Sequence, residues 1–244
     1  MGADVVLVAR RVDRLQALAA EIEQRHRVKA TVLALDLGKA SSAAELFAAT
    51  ETAGRSVDIL INNAGFGTHD DFLSIAWEKI AEQLQLNIVT LTELAHRFGA
   101  AMRARKRGYI LNVSSVAAFQ PVPYYATYAA SKAYVRDFSE ALAAELKGAG
   151  VQVTCVSPGG TRTEFQAVAG QRSSAIINFT MMSAERCVRL SLHAMFRKRR
   201  HVVTGLANVI AAWLTRFVPR RWLPGLAVLV TGRPKQTLPE KLAP

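Results

Sequence analysis

Three tyrosines crowd into five positions of the stretch YYATY, at Tyr124, Tyr125 and Tyr128, and only the last has a lysine four residues on, Lys132. On a helix that spacing puts both side chains on one face. The chemistry such a pair could do is proton transfer. A free phenol has a pKa of about 10, too high for efficient exchange at neutral pH, so a catalytic tyrosine needs a neighbouring positive charge to stabilise its anion. Lys132 could supply that charge. Ser115, thirteen residues before Tyr128, could polarise the same substrate oxygen from another side. A tyrosine and a lysine four apart also describe an ordinary solvated helix face. Tyr124 and Tyr125 have no comparable partner and read as packing or pocket lining.

The elements that must position these groups alternate in type. Short apolar runs predict strands at Asp4–Ala9, Thr31–Leu35, Val57–Ile61, Tyr109–Val113, Val151–Val156 and His201–Thr204. Longer periodic stretches predict helices at Val12–Gln24, Ala43–Ala53, Trp77–Arg105, Tyr125–Lys147 and Ala184–Arg197. Alternating strands and helices predict an α/β fold, a doubly wound, Rossmann-type and mostly parallel sheet with helices on both faces. Ligands bind beyond the carboxyl ends of such strands. That rim collects Ala9-Arg10-Arg11, Asp36-Leu37, Asn62-Asn63-Ala64-Gly65, Ser114-Ser115 and Ser157-Pro158-Gly159-Gly160.

Several of these stretches, taken in order, resemble the short-chain dehydrogenase/reductase family. They are NNAG at 62–65, Asn87 in LQLNI, Ser115 in NVSS, Tyr128 and Lys132 in YAASK, and SPGGTRT at 157–163. Order and spacing agree over roughly residues 2 to 200. The resemblance implies an oxidoreductase that moves hydride between a nicotinamide cofactor and a ketone, aldehyde or secondary alcohol. Tyr128 would be acid and base, Lys132 would lower its pKa and hold the nicotinamide ribose, and Ser115 would bond the substrate oxygen. Asn87 would hold a water linking Lys132 to solvent. Homo-oligomers joined by the helices containing Asn87 and Tyr128 are also implied. A non-catalytic, cofactor-poor scaffold or regulator of the same fold is the alternative.

An acid at the end of the second strand of this architecture selects NAD, and an arginine nearby accommodates the phosphate of NADP. The corresponding place reads Ala9-Arg10-Arg11, so NADP(H) is expected over NAD(H), with Arg10 the preferred phosphate ligand. By resemblance Asp36 would bond the adenine amine, Leu37 would flank its ring, and Asn62, Ala64 and Gly65 would bring the backbone close to the adenosine ribose. Pro158, Gly159, Thr161 and Thr163 would face the nicotinamide and pyrophosphate. No metal site is expected: the two cysteines, Cys155 and Cys187, lie in no cluster and read as reduced, buried thiols.

The resemblance breaks at the front. No GxxxGxG precedes Asp4, so the family's first strand and glycine-rich turn are expected to be missing, with Asp4–Ala9 as its second strand. Asp4–Ala9 and Val57–Ile61 would then face a gap. Either the native chain is longer by about 30 residues, one strand, turn and helix, or this is a truncated relative.

Charge divides the chain. The net charge is +12, and from Arg186 onward twelve Lys/Arg face one acid, Glu240. A domain over 1–205 and a basic amphipathic extension over 206–244 are expected. In the extension Leu206, Val209, Ile210, Trp213, Leu214 and Phe217 recur at helical spacing beside Arg216, Arg220 and Arg221. Such helices could cover the cleft or an interface, or lie in an anionic membrane surface. No nucleic-acid motif accompanies the charge. MGADVVLVARR lacks the features of a signal peptide, so the expected location is cytoplasmic, with membrane-peripheral contact as an option. An apolar substrate is expected from Phe119, Val122, Tyr124 and Phe165 near the rim. His69 is a candidate substrate contact; His193 and His201 read as ordinary.

Overall fold

Residues 2–162, 165, 169–170 and 181–234 are described in a computed structural model of the chain. Its strands are runs of β-branched and aliphatic residues, the composition that fits a pleated, buried surface. They are β1 (Val5–Ala9), β2 (Ala30–Ala34), β3 (Ile59–Asn62), β4 (Gly108–Val113), β5 (Val151–Pro158), the short β6 (Thr161–Arg162) and β7 (Met182–Ser183), and β8 (His201–Thr204). The helices are α1 (Val12–His26), α2 (Ser42–Phe47), α3 (Trp77–Leu84), α4 (Leu91–Ala104), α5 (Ala126–Glu145), α6 (Ala184–Phe196), α7 (Leu206–Leu214) and α8 (Leu223–Thr231).

All strand pairs are parallel. The order β3-β4-β5-β8 forms a four-stranded sheet, β1 pairs with β2, and β6 pairs with β7. This is a Rossmann-like α/β fold. Successive residues of β4 serve opposite faces, as a period of two requires. Ile110 is buried with Phe98 and Met102 of α4 and with Leu94, whereas Leu111 is buried with Met195 of α6 and Val156. Ridge residues from both helix layers therefore grip the strand whose end carries Ser115.

At the front, the chain opens on a strand of its own, Val5–Ala9, so the expectation of a missing first strand and glycine-rich loop is not confirmed. Among the described residues β1 pairs only with β2 and β3 only with β4. The sheet is thus in two pieces at that place.

The long helix expected over Trp77–Arg105 is interrupted. Between α3 and α4 lies a π-helical segment, Gln85–Thr90, and a second one, Ala48–Thr52, follows α2. Such bulges insert an extra residue and frequently mark functional sites. This one contains Asn87, which is fully buried.

A polar ladder runs beneath the rim. Asn62 Nδ2 donates to Asn112 Oδ1 at 2.9 Å, and Asn112 Nδ2 donates to Ser139 Oγ at 2.9 Å. Ser114 Oγ donates to the Lys132 carbonyl at 2.6 Å. These buried, mutually satisfied groups fix β3, β4 and α5 against one another.

The expected boundary at residue 206 falls at the start of α7. The described part of the tail, residues 206–234, packs against the rest of the chain, since α7 follows β8 directly and Ala212, Leu223 and Ala227 are buried. No helix among the described residues is long and apolar enough to cross a membrane.

Candidate active site

Tyr128 and Lys132 sit one turn apart on α5 and are both buried, 9% and 5% exposed. Burial of two ionisable groups disfavours their charged forms. The Tyr128 phenol is pushed up to about 12 by burial, partly offset by its hydrogen bond with Ser115. The Lys132 ammonium is pushed down to about 8 by burial. The net shift of the phenol is upward, with desolvation its largest cause, and a lowering by Lys132 does not show in it. The reason is geometric. Lys132 Nζ donates to the Val113 carbonyl at the end of β4 at 2.8 Å and stands 5.8 Å from the centre of the Tyr128 ring.

Ser115 lies at the exit of β4, where its Oγ accepts from the Ala117 N–H at 3.1 Å and meets the phenol of Tyr128. Tyr125 stacks on His69 with centres 4.7 Å apart, and Tyr124 meets the same ring edge-on at 6.2 Å. Burial lowers the pKa of His69 and raises that of Tyr125. Both tyrosines pack, as expected, and Tyr125 also lines the cavity.

Glycines after β3 set the clearance around this pair. A Cβ on Gly65 would lie 2.9 Å from Asn87 Oδ1 and 3.4 Å from Lys132 Nζ. On Gly67 it would lie 2.9 Å from Tyr128 Cδ2 and 3.2 Å from Phe165 Cζ. Asn87 clamps the same loop: its Nδ2 donates to the Phe66 carbonyl at 2.9 Å and to Ser131 Oγ at 3.1 Å, and its Oδ1 accepts from the Phe66 N–H at 3.2 Å. The Asn87 side chain thus joins the β3 loop to α5, a bracing contact absent from its expected role.

A cavity of about 790 Å³ opens at the rim, within the range of small-molecule sites. It gathers Gly65, Ser115, Tyr128, Lys132, Pro158, Gly159 and Thr161. Its remaining wall is largely apolar, with Phe119, Val122, Phe165, Val188 and Val230. Thr161 Oγ1 donates to the Gly159 carbonyl at 3.1 Å, shaping the turn after β5.

The remaining expected cofactor contacts have these surroundings. Arg10 is exposed and pairs with Glu82 at 3.3 Å, and its neighbour Arg11 lines the cavity instead. Asp36 Oδ1 accepts from the Gly38 N–H at 3.0 Å, and Leu37 packs against the main core. Asn62 turns its side chain into the sheet towards Asn112. Ala64 is exposed and outside the cavity wall. Thr163 lies outside the described residues. No group of three or more metal-ligating side chains occurs among the described residues.

Two contributors escaped the sequence reading. Gly67 follows Gly65 in NAGFGT and was readable as a second close-approach glycine. Asn208 is the one polar residue of LANVIAAWL. Its carboxamide covers the Cα of Gly159, where a Cβ would come within 2.1 Å of Nδ2, and Nδ2 donates to the Thr204 carbonyl at 2.8 Å.

Comparison with known proteins shows the family. The family model for short chain dehydrogenase matches residues 1–174. A 7beta-hydroxysteroid dehydrogenase of Collinsella aerofaciens is 29% identical over 210 residues, covering 85% of this chain and 78% of its own length. An uncharacterized oxidoreductase of Myxococcus xanthus is 33% identical over 166 residues, 68% of this chain; the alignment spans 65% of that relative's length. A short-chain dehydrogenase from Sphingobium yanoikuyae, solved in complex with NADPH, superposes with a TM-score of 0.79 at 30% identity, covering 100% of this chain and 89% of its own. The site at the strand ends and the matched 174 residues together place the chain in the short chain dehydrogenase family.

Proposed function

We propose that the chain is an NADP(H)-dependent oxidoreductase acting on apolar ketones or aldehydes and the corresponding secondary alcohols. The observation that carries this reading is the convergence of Tyr128, Ser115 and Lys132 on one cavity with a mostly apolar wall. NADPH, when bound, supplies the hydride. Tyr128 donates its proton to the substrate oxygen, and Ser115 bonds that oxygen and the phenol, holding both in line. Lys132, positive below about pH 8, stabilises the tyrosinate that forms. Asn87 keeps the β3 loop against α5 so that Gly65 and Gly67 leave room beside Lys132 and Tyr128.

The residues present suit the cofactor. Gly65 and Gly159, packed closely against Asn87 and Asn208, border the same cavity as Pro158 and Thr161 and expose backbone there. Arg11 at the rim, with Arg10 beside it, supplies the positive charge that the 2′-phosphate of NADP requires. The exposed pair between Arg10 and Glu82 contributes little and leaves Arg10 able to turn. The NADPH complex of the Sphingobium relative supports the same preference.

The two pKa shifts give this reading a direction. A phenol pushed up to about 12 stays protonated at neutral pH, so it holds the proton that reduction needs, while the anion that oxidation needs is scarce. The reductive kcat/KM is therefore expected to be level below about pH 8 and to fall above it, as Lys132 loses its proton. Alcohol oxidation should instead rise with pH towards the phenol's value of about 12. A pH profile with NADPH and a lipophilic ketone checks this, and a reductive rate that climbs through pH 8 would refute the assigned roles.

A further inference from the structure

The helices that close the cavity have a second face. Ala207, Ala211 and Thr215 of the α7 region turn towards the cavity. On the outside stand large apolar side chains: Leu206 is 76% exposed, Trp213 55%, Phe217 65%, Trp222 57% and Leu229 73%. The Trp213 and Phe217 rings lie 4.5 Å apart and form one aromatic ledge. Arg216, Arg220, Arg221 and Arg233 are all exposed around them, with the Arg221 guanidinium 5.6 Å from the Trp222 ring. No aspartate or glutamate occurs between Arg186 and Pro239.

An exposed apolar ledge of this extent, rimmed by one sign of charge, marks a docking surface. Its chemistry selects the occupant. A second copy meeting the same face would set these arginines against their own counterparts, with no carboxylate in the segment to answer them. An anionic lipid surface accepts both parts: tryptophan, phenylalanine and leucine enter the boundary between headgroups and acyl chains, and arginines meet the lipid phosphates and carboxylates. Helices α7 and α8, of nine residues each, fall well short of the ~20 residues that span a bilayer. They suit a helix pair lying on one leaflet.

We propose that the outer face of α7 and α8, with Trp213, Phe217 and Trp222 as anchors and Arg216, Arg220 and Arg221 as the charged rim, docks on an anionic lipid surface. The cavity then lies directly behind the docked helices. Docking does not depend on the reductase reading, and its test needs no turnover.

The test is cosedimentation of the whole chain with vesicles of phosphatidylcholine carrying about 30% phosphatidylserine, against pure phosphatidylcholine. Binding is expected to the anionic vesicles, to weaken as salt shortens the screening length, and to drop about 100-fold in the triple variant R216Q/R220Q/R221Q, about fivefold per arginine. Trp213→Ser should weaken it as well, and both variants should melt at the wild-type temperature, since the altered side chains are exposed. Sedimentation equilibrium of the free protein accompanies the assay. Absence of binding to anionic vesicles, or binding that the triple variant leaves intact, overturns the proposal. A dimer that Trp213→Ser disperses, with no vesicle binding, overturns it too and gives the face to a second copy.

Discussion

Replacing Tyr128 by phenylalanine is expected to lower kcat for NADPH-linked ketone reduction by about 10³, the middle of the range for losing a positioned proton donor. The substitution removes only the hydroxyl. The ring keeps its place between Tyr125, 5.7 Å away, and Phe165, 5.3 Å away, so the fold and the cavity wall stay intact. The single hydrogen bond with Ser115 is lost, worth about 1 kcal/mol. NADPH affinity, measured by calorimetry, should change by less than about tenfold, or 1.4 kcal/mol. A variant that binds NADPH and turns over ketone at the wild-type rate would remove Tyr128 from the chemistry.

The second large effect is expected at Gly67, which touches no proton. Alanine there places a methyl 2.9 Å from Tyr128 Cδ2, 3.1 Å from Cγ and 3.2 Å from Phe165 Cζ. Distances that short force the tyrosine ring aside. A displacement of about 1 Å at a reacting group costs on the order of 10² in rate, so Gly67→Ala should lower kcat by about that factor. Gly67 is not among the glycines with positive φ, and alanine at its backbone angles carries no conformational penalty. The melting temperature is therefore expected to stay within a few degrees of wild type, which separates misplacement from unfolding. Full activity in Gly67→Ala would show that the phenol's position tolerates the shift.

The parallel layout was legible in the sequence because buried parallel strands leave near-continuous apolar runs. Tyr109–Val113 and His201–Thr204 appear as β4 and β8 with at most a one-residue change at an end. The π segment at Gln85–Thr90 was not legible, because LQLNIVT keeps helical periodicity, whereas the Asn87 bonds to Phe66 and Ser131 that accompany the segment are long-range. The candidate catalytic residues could be named from the family resemblance, and the structure brings Ser115, Tyr128 and Lys132 to one cavity. Their electrostatics could not be read that way. Whether Lys132 or burial governs Tyr128 depends on where Nζ bonds, and the Val113 carbonyl is fixed only by the sheet. On the expected adenosine side, Asp36, Leu37 and Asn62 also have local partners in Gly38, the core and Asn112 that short motifs do not reveal. Asn208 reaches the site from 49 residues beyond Gly159, through a helix whose apolar pattern pointed outward.

One experiment reaches the central claim, that this cavity joins a nicotinamide cofactor to a carbonyl substrate. The purified chain is incubated with NADPH deuterated at C4, on either face in separate runs, and a lipophilic ketone, and the product alcohol is examined by mass spectrometry. Deuterium on the carbinol carbon from one labelled face, and its loss with Tyr128→Phe, is the expected result. Failure to bind NADPH in calorimetry, together with unlabelled ketone recovered unchanged from a panel of apolar carbonyls, would contradict the account and leave the fold as a scaffold.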